Sequence, residues 1–257
     1  MKKTLIALAV AASAAVSGSA MAWVSNSSGG TIEIGGTLTP VGKVTPWEAK
    51  TGGTISDVDA EVQKGQKEVK IHYAHPIEIL GIRTKEKLAF AGVDGVAPQI
   101  DFGGVINTED FVKGETQITL TVDGVDGNKI GMLKSRLFAQ AFSSEKKDGA
   151  PLKFSVYADK GGMAFYGGLG QSAESVSDTD MAGDYMPDAE ANWDDQGAAS
   201  MSAPDYSYYS DSSKTYSGFY FSAIKPNESI DITLDKPVPG DAPVKWKASL
   251  PVIVTYM

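Results

Sequence analysis

The stretch TIEIGGTLT, Thr31 to Thr39, alternates strictly: Ile32, Ile34, Gly36 and Leu38 share one face, and Glu33, Gly35 and Thr37 the other. A period of two is the mark of a strand with one apolar row. A polar lead from Trp23 to Gly30 precedes it and Pro40 closes it. Read by period alone, it is the first strand of the chain's own sheet. A second reading is a strand donated to a neighbouring subunit, where main-chain bonds supply affinity and alternate side chains fill pockets. Gly36 suits that reading, because a pocket closed by core atoms admits only a hydrogen there. The opposite end carries a matching signal. Trp246, Ala248, Leu250, Val252, Val254 and Tyr256 alternate up to the penultimate residue, against Lys245, Lys247, Ser249 and Thr255, with Pro251 and Ile253 as exceptions. So apolar a terminus frays or aggregates unless a sheet ties it down. It is either the last core strand or the border of an open groove.

Between these ends the chain reads as strands. Alternation recurs at Val69-Ile71-Tyr73, Ile118-Leu120-Val122, Leu152-Phe154-Val156, Phe219-Phe221-Ala223 and Ile230-Ile232-Leu234. The punctuation is that of turns: Asp94-Gly95, Asp123-Gly124, Asp126-Gly127 and Asp148-Gly149. No segment beyond the first 22 residues sustains a capped helical period. The pattern predicts an all-β sandwich, with short helices confined to insertions.

The first 22 residues have the form of an export signal: Lys2 and Lys3, an apolar run from Leu5 to Val16, then Ala20-Met21-Ala22 as a cleavage pattern before Trp23. Removing them leaves 235 residues with a net charge of −11. An acidic chain lacks the basic face that nucleic acid requires. The absence of Cys excludes thiol catalysis, thiolate metal sites and disulfides, and two His leave little for a metal centre.

The charge is concentrated. From Ser172 to Ser213, 42 residues hold ten acids and no Lys or Arg, so the rest of the exported chain is close to neutral. Lying between two strand runs, this segment is a long insertion, and such loops are functional or mobile. Its aromatic residues Trp193, Tyr206, Tyr208 and Tyr209 form either a platform for a sugar or receptor, or the packing that holds the insertion on the sandwich. Packing is the simpler account. Gly168 to Ala173 spells a dinucleotide-binding pattern, but an acidic loop follows where a helix should begin. Asp178, Asp180 and Gly183 imitate the start of a calcium loop, yet Ala182 and Ala189 stand where ligands belong. His72 and His75, three apart on a strand, face opposite sides. Neither catalytic residues, a cofactor nor a metal site is expected, and irregular calcium binding by the acids is left open.

At the two ends, and in Arg83-Thr84-Lys85-Glu86, GVDGVAPQIDF (Gly92 to Phe102) and FYGGL (Phe165 to Leu169), the sequence resembles subunits of chaperone–usher fimbriae. The likeness is to the Fae family, which includes the FaeG-type adhesins of enterotoxigenic Escherichia coli. It spans most of the chain and fails mainly across the acidic insertion. The resemblance implies an incomplete immunoglobulin-like sandwich that is completed by a strand from another chain. A periplasmic chaperone first lends that strand, and at the outer-membrane usher the N-terminal extension of the next subunit replaces it. Carried over by position, residues 1–22 are the signal, 23–39 the donor extension and 40–257 the fimbrial domain with its insertion at 172–213. Ile32, Ile34, Gly36 and Leu38 resemble the donor row, and Leu250, Val252, Val254 and Tyr256 the terminal strand that the chaperone reads. The implied destination is the cell surface, by way of the periplasm. Two departures stand out. The glycine that many fimbrial subunits carry about fourteen residues from the end is replaced by Val244, with Gly240 upstream. The insertion is shorter than, and unlike, the receptor-binding one of FaeG-type adhesins. The expectation is therefore a structural, minor or ancillary subunit. The alternatives are a major adhesin that binds host glycoconjugates through the insertion, and a self-contained secreted carbohydrate-binding module.

Overall fold

The computed structural model describes residues 34–37, 44–177 and 179–257, and the chain divides into two units, 1–43 and 44–257. In the first unit, residues 34–37 belong to no strand and Ile34 is 95% exposed. The signal segment, Ile32 and Leu38 lie outside the described residues.

The second unit is built from strands: β1 (Trp47–Thr51), β2 (Glu68–His72), β3 (Ile77–Thr84), β4 (Phe90–Ala91), β5 (Pro98–Asp101), β6 (Glu115–Gly124), β7 (Lys129–Lys147), β8 (Ala150–Ser155), β9 (Thr215–Ile224), β10 (Ser229–Leu234), β11 (Trp246–Ala248) and β12 (Ile253–Tyr256). The one α-helix among the described residues, α1 (Ala182–Tyr185), lies in the insertion. Every pairing between these strands is antiparallel.

β7 organises the sheets. Its 19 residues span about 60 Å if straight, far more than one sheet of ordinary strands uses. The first half pairs with β6 on one edge and β10 on the other, through Leu120↔Leu133 and Ile232↔Leu133. The second half pairs with β8 and β9, through Phe142↔Ser155 and Phe142↔Phe219. β2 extends the first half beyond β10, and β3 and β1 extend the second beyond β9. One hydrophobic cluster joins the parts, with Leu80 and Ile82 of β3, Ile118 and Val122 of β6, Ile230 and Ile232 of β10, and Ile100 of β5. A second small sheet holds only β12 and β5, and neither sheet closes on itself.

β6 and β10 show the expected pattern of one wet and one buried face: Ile118, Leu120 and Val122 point inward, as do Ile230, Ile232 and Leu234. β9 and the second half of β7 are buried on both faces. Their inner rows, Leu137, Ala139 and Ala141 with Tyr216 and Tyr220, enter the main core. Their outer rows, Phe138 and Phe142 with Phe219 and Phe221, form a separate cluster with Ala182, Met186 and Ala189 of the insertion. The acidic insertion is thus a third layer with an apolar underside. Gly81 on β3 lets it approach, since a Cβ there would stand 2.6 Å from the Met186 sulfur.

Candidate assembly groove on the C-terminal strand

The chain from Trp246 to Met257 runs along both sheets. Trp246 and Ala248 pair with Gly124 and Val122 of β6. Val254 and Tyr256 pair with Ile100 and Pro98 of β5, and Ala97 and Met257 exchange backbone hydrogen bonds at 3.0 and 3.1 Å. Along one edge the run is paired at its two ends, β11 with β6 and β12 with β5, while residues 249–252 lie in no strand. The other edge pairs with no strand among the described residues.

The inward row is Trp246, Ala248, Leu250, Val252, Val254 and Tyr256. Each of the six packs against the main core cluster, yet each is only half-buried. The inward rows of β6 and β10 are sealed: Ile118 and Val122 are 0% exposed and Ile232 4%. This row combines a core pattern, half-covered side chains and an open sheet edge, the features that strand addition uses. It extends about 36 Å at strand rise. At its far end Tyr256 lies beside Thr45, which is buried and stands two residues before β1. Burial pushes the Tyr256 phenol above its ordinary value, and Thr45 works in the opposite direction.

The floor of the groove is held from behind. Phe165 N–H donates to the Pro98 carbonyl at 2.6 Å and Ile100 N–H to the Tyr166 carbonyl at 2.8 Å. β5 is therefore gripped by Phe165-Tyr166 on one side and by β12 on the other. Gly167 has φ +84°, and a side chain there would overlap the Ile100 carbonyl oxygen. Two stretches singled out by sequence, 92–102 and 165–169, are in direct contact under the terminal strand.

The four insertion aromatics fall in three places. Tyr209 is 0% exposed and packs against Trp47, Phe90, Phe165 and Tyr216, with ring centroids 5.1 to 6.3 Å away. Trp193 packs on Phe142 at 5.8 Å and Phe219 at 5.4 Å, in the outer cluster. Only Tyr206 and Tyr208 meet at the surface, at 5.7 Å, joined by Tyr157 at 5.9 Å. Tyr157 escaped the sequence reading because it lies just beyond the Leu152-Phe154-Val156 row and outside the insertion. Two insertion acids tie the layer down through exposed or partly exposed ion pairs: Asp188 with Lys50 at 3.0 Å and Asp195 with Lys153 at 2.9 Å.

The rival chemistries lack their geometry. Residues 173–175 after the glycine pattern form a single 3₁₀ turn, not a helix that could hold a pyrophosphate. Nδ1 of His72 lies 3.0 Å from the Asn227 carbonyl oxygen, while His75 packs edge-on against Tyr73. Among the described residues no three His, Asp or Glu side chains group to hold a metal.

The chain is all-β, its two sheets are open and its terminal row is half-covered, an arrangement consistent with an incomplete sandwich. A family model described as "Fimbrial, major and minor subunit" matches residues 1–257, and the chain belongs to this K88 fimbrial family. The K88 fimbrial protein AB of Escherichia coli is 37% identical over 185 residues, which cover 66% of this chain and 64% of that protein. The K88 fimbrial protein AC is 30% identical and the F41 fimbrial protein 28%, both of Escherichia coli and each covered over the full length of both chains.

Proposed function

We propose that this fimbrial subunit polymerises by accepting a neighbour's strand beside its C-terminal strand and giving its own N-terminal run in return. The observation that supports it is the half-buried row from Trp246 to Tyr256. The donor row is Ile32, Ile34, Gly36 and Leu38, whose period of two matches that of the groove. Burying Ile32, Ile34 and Leu38 would contribute roughly 1.5–3 kcal/mol each as an upper figure. On this reading a periplasmic chaperone shields the groove first, an outer-membrane usher exchanges it for the next subunit, and the fibre reaches the cell surface. Leu250, Val252, Val254 and Tyr256 are the side chains that chaperone and neighbour read in turn.

Deleting residues 23–39 tests this directly. The shortened subunit should still be captured by the chaperone and should fail to enter fibres. Normal fibres from the deletion would overturn the reading. We place the subunit among the minor or ancillary ones, because its insertion departs from the receptor-binding form; immunogold labelling along the whole shaft would reverse that placement. A second reading, surface adhesion through the insertion, is supported by the exposed Tyr206 and the half-buried Tyr208 beside it, and falls to these two rather than to the buried Tyr209 and the Trp193 packed on the outer cluster.

A further inference from the structure

Tyr157, Tyr206 and Tyr208 form a corner. The Tyr157 and Tyr206 rings meet at 76°, and the Tyr206 and Tyr208 rings at 77°. Two successive near-right angles leave the three rings without a common plane. Tyr206 is 42% exposed, its two neighbours are half-buried, and none of the three belongs to either hydrophobic cluster. The corner is held firmly all the same. Asp205 N–H donates to the Ser155 carbonyl at 3.0 Å, Tyr157 N–H to the Asp205 carbonyl at 3.2 Å, and Tyr206 N–H to Asp205 Oδ1 at 2.8 Å.

Charge around the rings is negative. Asp159, Glu174 and Asp205 are exposed and act on the Tyr157 phenol, and none has an ion-pair partner among the described residues. Asp188 and Asp195 of the same insertion are by contrast paired with lysines. One cation stands at the rim: Lys160, whose ammonium is held above its ordinary value chiefly by the nearby Tyr208 hydroxyl.

A sugar ring stacks on a flat aromatic face. Rings set at right angles in a negative field suit a rounded cation instead, since the ring faces and the carboxylates attract it together. We propose that this corner binds a phosphocholine group, with the trimethylammonium against Tyr157, Tyr206 and Tyr208 and the phosphate toward Lys160. The proposal rests on the reading of Tyr206 and Tyr208 as a contact surface and names its ligand. Free phosphocholine and a phosphatidylcholine surface present the same chemistry.

The test uses the chaperone-bound subunit and intact fibres. Calorimetry with free phosphocholine, choline and galactose reads the ligand class, and sedimentation with phosphatidylcholine or phosphatidylglycerol vesicles reads the source. Phosphocholine should bind more tightly than choline. Tyr206→Ala and Asp205→Asn should each weaken it at least tenfold without changing the melting temperature, and Lys160→Ala should bring it down to the level of choline. Cosedimentation with phosphatidylcholine would assign the membrane source, and binding of free phosphocholine alone the soluble one. Galactose binding that Tyr206→Ala abolishes and phosphocholine does not compete would overturn the ligand class and keep the contact surface. Failure of phosphocholine to bind, or binding indifferent to Tyr206→Ala, would overturn the proposal outright.

Discussion

Phe165 donates its amide hydrogen to the Pro98 carbonyl at 2.6 Å, and through that bond the core braces the strand on which the C-terminal strand lies. The turn after Phe165 has to pass close behind β5, and Gly167 allows it. Gly167→Ala places a side chain on the Ile100 carbonyl oxygen at a left-handed φ. The expected cost is about 2–4 kcal/mol. It should appear as a lower melting temperature together with weaker capture of a peptide spanning Thr31 to Thr39. Loss of stability with unaltered peptide capture would show that the brace does not reach the groove.

The half-covered row separates two kinds of stability. Val254→Thr places a hydroxyl at a position that is only half-buried in the subunit alone and would be sealed under an added strand. In the free subunit the substitution should cost less than about 0.5 kcal/mol. Affinity for the Thr31–Thr39 peptide should fall by about 1–2 kcal/mol, roughly tenfold. Thr255→Val, on the outward row, should alter neither, and peptide titration of both variants checks the contrast.

How much of this was readable beforehand follows from which faces are covered. β6 and β10 alternate in sequence because each has one wet face. β7 hides its alternation because the insertion covers its outer row of Phe138, Gln140, Phe142 and Ser144. The polar members of that row serve the insertion's backbone. Gln140 donates to the Thr179 carbonyl at 2.8 Å and accepts from Met181 N–H at 3.1 Å, while Ser144 donates to the Asp194 carbonyl at 2.6 Å. Nothing in a single chain's periodicity announces such a third layer. The C-terminal row was legible because its alternation survives intact. The aromatic platform was not, because Tyr209 takes a left-handed turn (φ +57°) that drives it inward while Tyr206 and Tyr208 stay outside.

Trp193 offers a sharper test of the insertion's role. Its ring sits on Phe142 and Phe219, but its indole N–H is buried without an acceptor among the described residues. Trp193→Phe keeps most of the packing and removes the orphaned donor. It should be neutral or stabilise by up to about 1 kcal/mol. Trp193→Ala should cost about 3 kcal/mol. Chemical denaturation of the chaperone-free subunit completed by the Thr31–Thr39 peptide compares the two. A large loss in the Phe variant would mean that the indole N–H has a partner in solution.

Acid should act oppositely on two carboxylates. Burial alone would raise Glu115, but hydrogen bonds from Lys225 and Arg136 outweigh it and hold its carboxyl below the ordinary value, the Arg136 contact being 2.8 Å long. A depressed carboxylate stabilises the fold fully above its unfolded pKa, near 4.5, and that contribution disappears as pH falls through the lower folded value. Glu190 has the reverse sign. Burial first, and the nearby Asp180 second, raise its carboxyl, so the fold favours its protonated form and loses stability as pH rises from the unfolded value through the folded one. Glu115→Gln should cost roughly 1–2 kcal/mol at neutral pH and flatten the loss of stability below pH 4.5. Glu190→Gln should instead stabilise the protein at neutral pH and leave the acid limb unchanged. Melting temperatures of both variants from about pH 3 to 8 decide the matter, and parallel curves for the two would refute the opposed signs.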